Sequence, residues 1–526
     1  MAHPADHGDG VGRDSAGRDA DEWRAVLHSA IRFLTVSLRY RRPAVSYRAE
    51  GLVVLMFFCC FSGMVARAET RPLVTDVLPS GVPIPAPAPS FQVPAEDPDA
   101  ELLGEAWGAR PWLRHYGVHL NIQDVEELWG LAAGGVHPGP TYDGITAATL
   151  QVETQPLFGW HDGLLNISAL QIRGRSLTGE RLGALNAVSG YDVGRSTRLF
   201  EMWYGQGFFS NRLDIRVGSL DLDTEFLVSS NASFFLNSSF GWPLSTASNL
   251  YSGGPSWPFS ALGGRVKWAP VDPLVLMGAV TDDNPTHGPF YSSVSATQRD
   301  PSGTTFSTAG GVLFMGEAQY SLDLGQPHPH QDGPSLPGTW KFGGLYDTGR
   351  FPDQAYDSRG LPLASPGSSG QPRYHRGNWL AYAVFDQMIW RSGRDERKTI
   401  NLFVRGTTSD AVRNRFSHEL QAGLTFDGLI NGHPDDTIGI AWGTSFYSHS
   451  FKVNARNAEY FGTDASGHLQ QEHYVELTYQ AAMTPWLILQ PDLQYFRHVG
   501  GVSLNPDTGR PVRDGFVLGL NVTTTL

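Results

Sequence analysis

Cysteine is almost missing from this chain: its 526 residues contain two, Cys59 and Cys60, side by side near the front. Beyond that leading segment no disulfide, thiol catalysis or cysteine metal site is available. Charge is sparse as well, at 17% of residues, against roughly 25% in an average soluble domain. No apolar run reaches the roughly 18 residues of a membrane-spanning helix, so none is expected. The motifs of common hydrolases and nucleotide-binding enzymes are missing too: no GxSxG, no Walker A loop, no HExxH. His328 and His330 flank Pro329 in a polar turn, where solvent exposure is the simpler reading than metal binding. Carboxylates are plentiful, but no pair is marked out as a glycosidase acid and base. No metal, cofactor or catalytic residue is therefore expected.

The front of the chain has the order of a secretory signal. Residues 1–50 are polar and end in an arginine-rich stretch, 51–65 are apolar, and Ala66-Arg67-Ala68 offers a small-x-small cleavage site. Residues 1–68 are expected to be a signal peptide with an extended leading region, or one whose start lies downstream of Met1. The alternative, a short membrane anchor, is disfavoured because fifteen apolar residues are short for a core about 30 Å thick. Bulky Phe57 and Phe58 before the cysteines argue against lipid attachment there. Removal of 1–68 takes away 9 arginines and 7 carboxylates, leaving 30 basic residues against 45 acidic ones. That balance argues against nucleic acid, which favours a basic patch. Residues 69–103, with the tract VPIPAPAP, are expected to be an extended spacer. A short helical or irregular lead-in follows before Tyr116.

What the rest of the chain has is alternation. In 259–281, Leu262, Val266 and Trp268 alternate with Gly263, Arg265 and Lys267. A Pro/Asp turn follows, and alternation resumes, with Leu274, Leu276 and Val280 opposite Val275, Met277 and Ala279. This reads as a β-hairpin. The pattern recurs about sixteen times, in runs of about ten residues, the length of a tilted membrane strand. Short connections (269–272, 391–396) alternate with long ones (174–197, 221–260, 281–310). One end of the assembly therefore has tight turns and the other has loops. Aromatics such as Trp268, Trp340, Tyr346, Tyr447, Trp486 and Tyr495 sit at run ends, as in interfacial belts. The fold class expected is all-β: a transmembrane antiparallel barrel over 104–526, with short periplasmic turns and long extracellular loops. Such a barrel leaves no strand edge open in lipid.

Parity assigns the lumen. With Leu213, Ile215 and Val217 toward lipid, Arg212, Asp214 and Arg216 face inward. Arg173 with Gln171, Glu201 with Trp203, and Arg265, Lys267 and Lys341 are placed inward by the same reasoning. A sugar is held by hydrogen bonds from such groups and by a flat ring against its CH face, and weak, multiple contacts allow passage. Loop 221–260 carries Phe234, Phe235, Phe240, Trp242, Tyr251 and Trp257 with few charges. It is expected to fold into the barrel and narrow it; the alternative is a packed outer cap.

Four stretches carry a family resemblance: Glu105-Ala106-Trp107-Gly108, the run RLFEMWY from Arg198 to Tyr204, the run FFLNSSFGWP from Phe234 to Pro243, and 257–285. Over 104–526 the chain resembles the carbohydrate-selective porins of the OprB family. The resemblance implies a monomeric sixteen-strand outer-membrane barrel in a Gram-negative bacterium. It implies passive diffusion of glucose and similar mono- or oligosaccharides, past a constriction lined by arginine, glutamate and aromatic residues. By motif position that lining falls on Arg173 and Glu201, then on Trp203, Asn237 and Trp242; parity adds Arg216 and Arg265. Leu526 departs from the aromatic residue usual at the end of such barrels. The rival readings are a general or anion-selective outer-membrane channel, whose lumen would be dominated by Arg and Lys, and a secreted β-rich lectin or glycoside hydrolase.

Overall fold

A computed structural model describes residues 100–325, 335–463, 469–501 and 503–526. The signal-peptide reading, the proline tract, and His328 and His330 lie outside these residues. The described residues form sixteen strands: β1 (Val118–Gly135), β2 (Gly139–Glu153), β3 (Gly163–Gly174), β4 (Ser196–Phe208), β5 (Leu213–Leu220), β6 (Ala261–Val271), β7 (Leu274–Asp282) and β8 (Val312–Asp323) in the first half. The second half holds β9 (Pro337–Asp357), β10 (Pro372–Arg391), β11 (Thr399–Ser409), β12 (Phe416–Asp427), β13 (Thr437–Tyr447), β14 (His473–Thr484), β15 (Leu487–Arg497) and β16 (Arg513–Thr525). Each pairs antiparallel with its sequence neighbours, and β1 pairs with β16 from Gln123↔Thr525 to Gly135↔Arg513, which closes the barrel.

Period-2 alternation is what makes this closure possible. Side chains on successive strand residues point to opposite faces, so one sequence can present an apolar belt outside and polar groups inside. On β6, Val266 and Trp268 are 42% and 48% exposed on the outer face, while Arg265, next to Val266, is 2% exposed. Outward aromatics gather at two levels: Trp268, Tyr320 and Trp390 toward the turn end, Phe314, Tyr346 and Trp379 toward the loop end. Tyr447 is not part of such a belt. It is buried inside, stacked on Phe416 and Phe451 at ring-centroid separations of 4.9 and 5.1 Å.

β1, β9 and β10 run longer than the alternation suggests. β1 and β2 rise together as a hairpin paired up to Leu131↔Gly139, and β9 and β10 remain paired out to Asp357↔Pro372. The lead-in is helical, at Ala109–His115. Arg110 on it donates to the Leu526 carbonyl at 2.5 Å, and the Leu526 N–H donates to Ile122 O at 2.8 Å. Main-chain and guanidinium contacts thus hold Leu526 at the β1–β16 seam.

The interior is not empty. Loop 221–260 enters it and packs Leu222, Phe226, Leu227 and Leu250 against Met277, Met315 and Tyr382 of the wall. Further along the same loop, Phe235 and Phe240 meet Phe403, Tyr474 and Phe496. These contacts fill the β6–β14 side and leave space on the β1–β4, β15 and β16 side.

Candidate functional site: a narrowed lumen

The loop is fastened to the wall by inward-facing strand residues. Glu317 on β8 accepts from the Leu227 N–H at 2.8 Å. Asp386 on β10 accepts from the Ser229 hydroxyl at 2.5 Å and the Ser230 N–H at 3.0 Å. Glu419 on β12 takes the Ser245 N–H at 2.7 Å, and Glu476 on β14 takes the N–H groups of Leu236 and Asn237 at 2.6 and 2.9 Å. Donors complement them: Lys341 on β9 reaches Val228 O at 2.7 Å, and Gln490 on β15 reaches Phe234 O at 3.0 Å. Glu472, just before β14, fastens a second loop, accepting from the Leu185 and Asn186 N–H groups at 2.9 Å. A backbone folded inside a barrel has no ladder partner, so its buried N–H and C=O groups must find side chains.

A compact ion network sits where β4, β5 and β6 meet the loop. Arg216 on β5 pairs with Glu225 of the loop at 2.8 Å. Arg265 on β6 pairs with the same Glu225 at 2.7 Å and with Asp214 on β5 at 2.8 Å. The Arg216 guanidinium also lies over the Trp203 ring, 4.2 Å from its centroid. Two cations and two carboxylates thus neutralise one another away from bulk water, as buried charges require. Burial pushes the Glu225 carboxyl up, but Arg216 and then Arg265 outweigh it and hold it below its ordinary value.

Between the loop and the β1–β4 wall lies a cavity of about 740 Å³. Its polar lining includes Gln123, Asn166, Ser168 and Asn521; its aromatic lining includes Tyr191, Phe200, Phe234, Trp242 and Trp257. Tyr191 and Trp257 meet edge to face at 5.5 Å. Phe200 joins Glu201 in lining this cavity because of a β-bulge. Pairing of β3 with β4 slips between Ile167↔Met202 and Ala169↔Leu199, so Phe200 and Glu201 together oppose Ser168. Both therefore line the space, whereas strict alternation sets Phe200 on the outer face. Glu201 is steadied at both ends: its N–H donates to Ser168 Oγ at 3.1 Å, and its carboxylate accepts from the Asp221 N–H at 3.1 Å.

The sequence-predicted residues divide into three groups. Glu201 and Trp242 line the cavity, Trp242 with its indole N–H donating to Gly253 O at 3.0 Å. Trp203, Arg216 and Arg265 point inward into the ion network beside it. Asn237 is 1% exposed; it accepts from the Ser239 N–H at 3.1 Å and donates to Gln494 at 3.0 Å, so it shapes the loop.

Arg173 is a correction. Ile172 and Leu170 on β3 pack inward against Val125 and Ile145, so Arg173 and Gln171 face out. There Arg173 donates to Asp124 and Thr146, both at 2.8 Å, and pairs with Glu126. Asp124 and Glu126 on β1 share its outward parity, which satisfies a cation at the loop end of β3 without the lumen. Sequence reasoning passed over Arg405, Glu419 and Asp386 as functional groups; their partners are backbone atoms of a distant loop, which no local pattern announces.

The family model described as "Carbohydrate-selective porin, OprB family" matches residues 137–526. Porin B of Pseudomonas aeruginosa is 25% identical over 446 residues, 80% of this chain and 90% of that protein. The putative porin QuiX of Acinetobacter baylyi is 23% identical over 444 residues, 80% of this chain and 92% of that protein. The high-pH structure of Pseudomonas putida OprB superposes with a TM-score of 0.69 at 23% identity, covering 81% of this chain and 99% of that one. The family match spans most of the chain, and the closed antiparallel barrel agrees with the solved OprB structure in fold: this chain belongs to the carbohydrate-selective porins of the OprB family.

Proposed function

We propose that sugars cross the Gram-negative outer membrane through the cavity between loop 221–260 and the β1–β4 wall. The carrying observation is its lining: the aromatic residues Tyr191, Trp242 and Trp257 share it with the amide and carboxylate residues Gln123, Asn166 and Glu201. Rings suit the CH faces of a pyranose, and the polar groups suit its hydroxyls. Contacts of this kind, each weak, bind a sugar without trapping it. Arg216, Arg265 and Trp203 hold the rim in shape, and Asn237 holds the loop. Arg173 has no part in this path. One barrel, closed on itself, is the working unit, with no catalytic step. An anion-selective channel is the weaker reading, because the arginines beside the cavity are already paired with carboxylates.

The test is a planar bilayer containing the purified mature chain, with glucose titrated against single-channel current. Saturable block is expected, and Trp242→Ala should raise the half-blocking concentration by roughly fivefold, the scale of one aromatic contact. An open pore that glucose does not block would refute a sugar site in the barrel.

A further inference from the structure

We infer that this channel sorts sugars by charge, favouring a protonated amino sugar over a neutral hexose and a neutral hexose over a uronic acid. The inference rests on the cavity being the sugar path, as proposed above.

The observation is an imbalance in the lining. Glu127, Asp192, Glu201 and Asp223 all border the cavity, and no Arg, Lys or His does so among the described residues. The carboxylates come from four separate elements: β1, loop 175–195, β4 and loop 221–260. Aromatic rings are interleaved with them, and an ammonium group is attracted to a ring face as well as to a carboxylate.

The fate of the inward-facing bases explains the imbalance. Arg216 and Arg265 are held by Glu225 and Asp214. Lys341 and Arg405 are turned to loop carbonyls, and Arg198 pairs with Asp300 at 3.4 Å. Arg216, Arg265, Lys341, Arg405 and Arg198 are thus occupied as loop anchors, whereas Glu201 accepts from one backbone N–H and keeps a face on the cavity. An arginine–glutamate lining would be blind to the sign of a sugar's charge. A lining of carboxylates alone is not, because a water-narrowed space with low-dielectric walls focuses a single-sign field.

The experiment uses the full mature chain in planar bilayers at about pH 7, where an amino sugar is mostly protonated and a uronic acid ionised. Current block is titrated with glucosamine, glucose and glucuronate in parallel. Glucosamine is expected to half-block at about tenfold lower concentration than glucuronate, with glucose between them. In Glu201→Gln/Asp223→Asn the half-blocking concentrations of glucosamine and glucuronate should come to within about twofold of one another, whatever the change in glucose block. Equal block by the three sugars, or tighter block by glucuronate, overturns the charge rule; with glucose block intact, the sugar path itself still stands. A charge order that survives in the double variant overturns the assignment to Glu201 and Asp223.

Discussion

The Arg405 guanidinium donates to the Phe240 carbonyl at 2.8 Å, across the barrel from wall to loop. Its other donors go to Ser239 O at 2.7 Å, Gly241 O at 2.9 Å, Leu227 O at 3.0 Å and the Gln421 amide oxygen at 2.8 Å. All five N–H groups of the fork are used, in the planar geometry peculiar to arginine. Arg405→Met would leave four loop carbonyls without this donor, at a cost of about 3 kcal/mol or more. Larger, noisier single-channel currents and faster proteolysis within loop 221–260 are expected, with the barrel still folded. Arg405→Lys should rescue only partly, since an ammonium cannot span the same fork. An unaltered current in Arg405→Met would show that other contacts suffice to hold the loop.

The barrel was far more legible in the sequence than the constriction. Strand character is written locally, in alternation such as Ile400, Leu402 and Val404 against Asn401 and Arg405, and each of the sixteen runs falls on an observed strand. The upper half of β1 escaped, because Leu131, Ala132 and Ala133 do not alternate; Leu131 is buried where the loop residue Leu182 packs over the wall. Parity also misleads at strand ends. Gln171 and Arg173 look luminal because they are polar, yet outward Asp124 and Glu126 give Arg173 polar company on the outer face. Phe200 joins the lumen only through a bulge, an extra residue that leaves no mark in hydropathy. Most anchors of the loop are set by contacts 90 or more residues apart, as with Glu317 and Leu227, and no local pattern encodes a contact of that span.

Arg173 supplies a sharp control. Its partners Asp124, Glu126 and Thr146 all lie on the outward face, away from the cavity. Arg173→Ala should therefore leave glucose block within about twofold of the wild type, since it removes no cavity contact. It should lower resistance to heat in detergent modestly, because two carboxylates remain side by side on the outer surface. A large loss of glucose block in this variant would place the arginine on the sugar path after all.

Glu225 gives the pH dependence. Arg216 and Arg265 hold its carboxyl below the ordinary range in spite of burial. A depressed folded value means the ion network contributes fully above the unfolded value, about pH 4, and loses that contribution as pH falls through the folded value. Current noise from a loosened loop should therefore rise on acidification below about pH 4. Glu225→Gln should show the noise already at neutral pH and lack the acid step, since one neutral amide cannot balance two guanidiniums 2.7 and 2.8 Å away. An acid step of the same size in Glu225→Gln would assign it to another carboxylate.

Gly439 tests whether the loop's seat sets the width of the pore. It faces inward on β13, and a Cβ there would stand 2.5 Å from the Phe234 ring and 2.8 Å from that of Phe235. The missing side chain is what lets both rings come up against the wall, and Phe234 is itself part of the cavity lining. Gly439→Val must push the loop toward the β1–β4 side, at a cost of about 1–3 kcal/mol for overpacking. Conductance should fall, and glucose should enter more slowly with little change in how tightly the cavity holds it. Gly278 is the matched control: it faces outward on β7, and a Cβ there meets nothing nearer than Met315 O at 3.9 Å. Gly278→Ala should conduct as the wild type does. If Gly439→Val also conducts normally, Phe234 can move without narrowing the cavity, and the width is set by the carboxylate anchors alone.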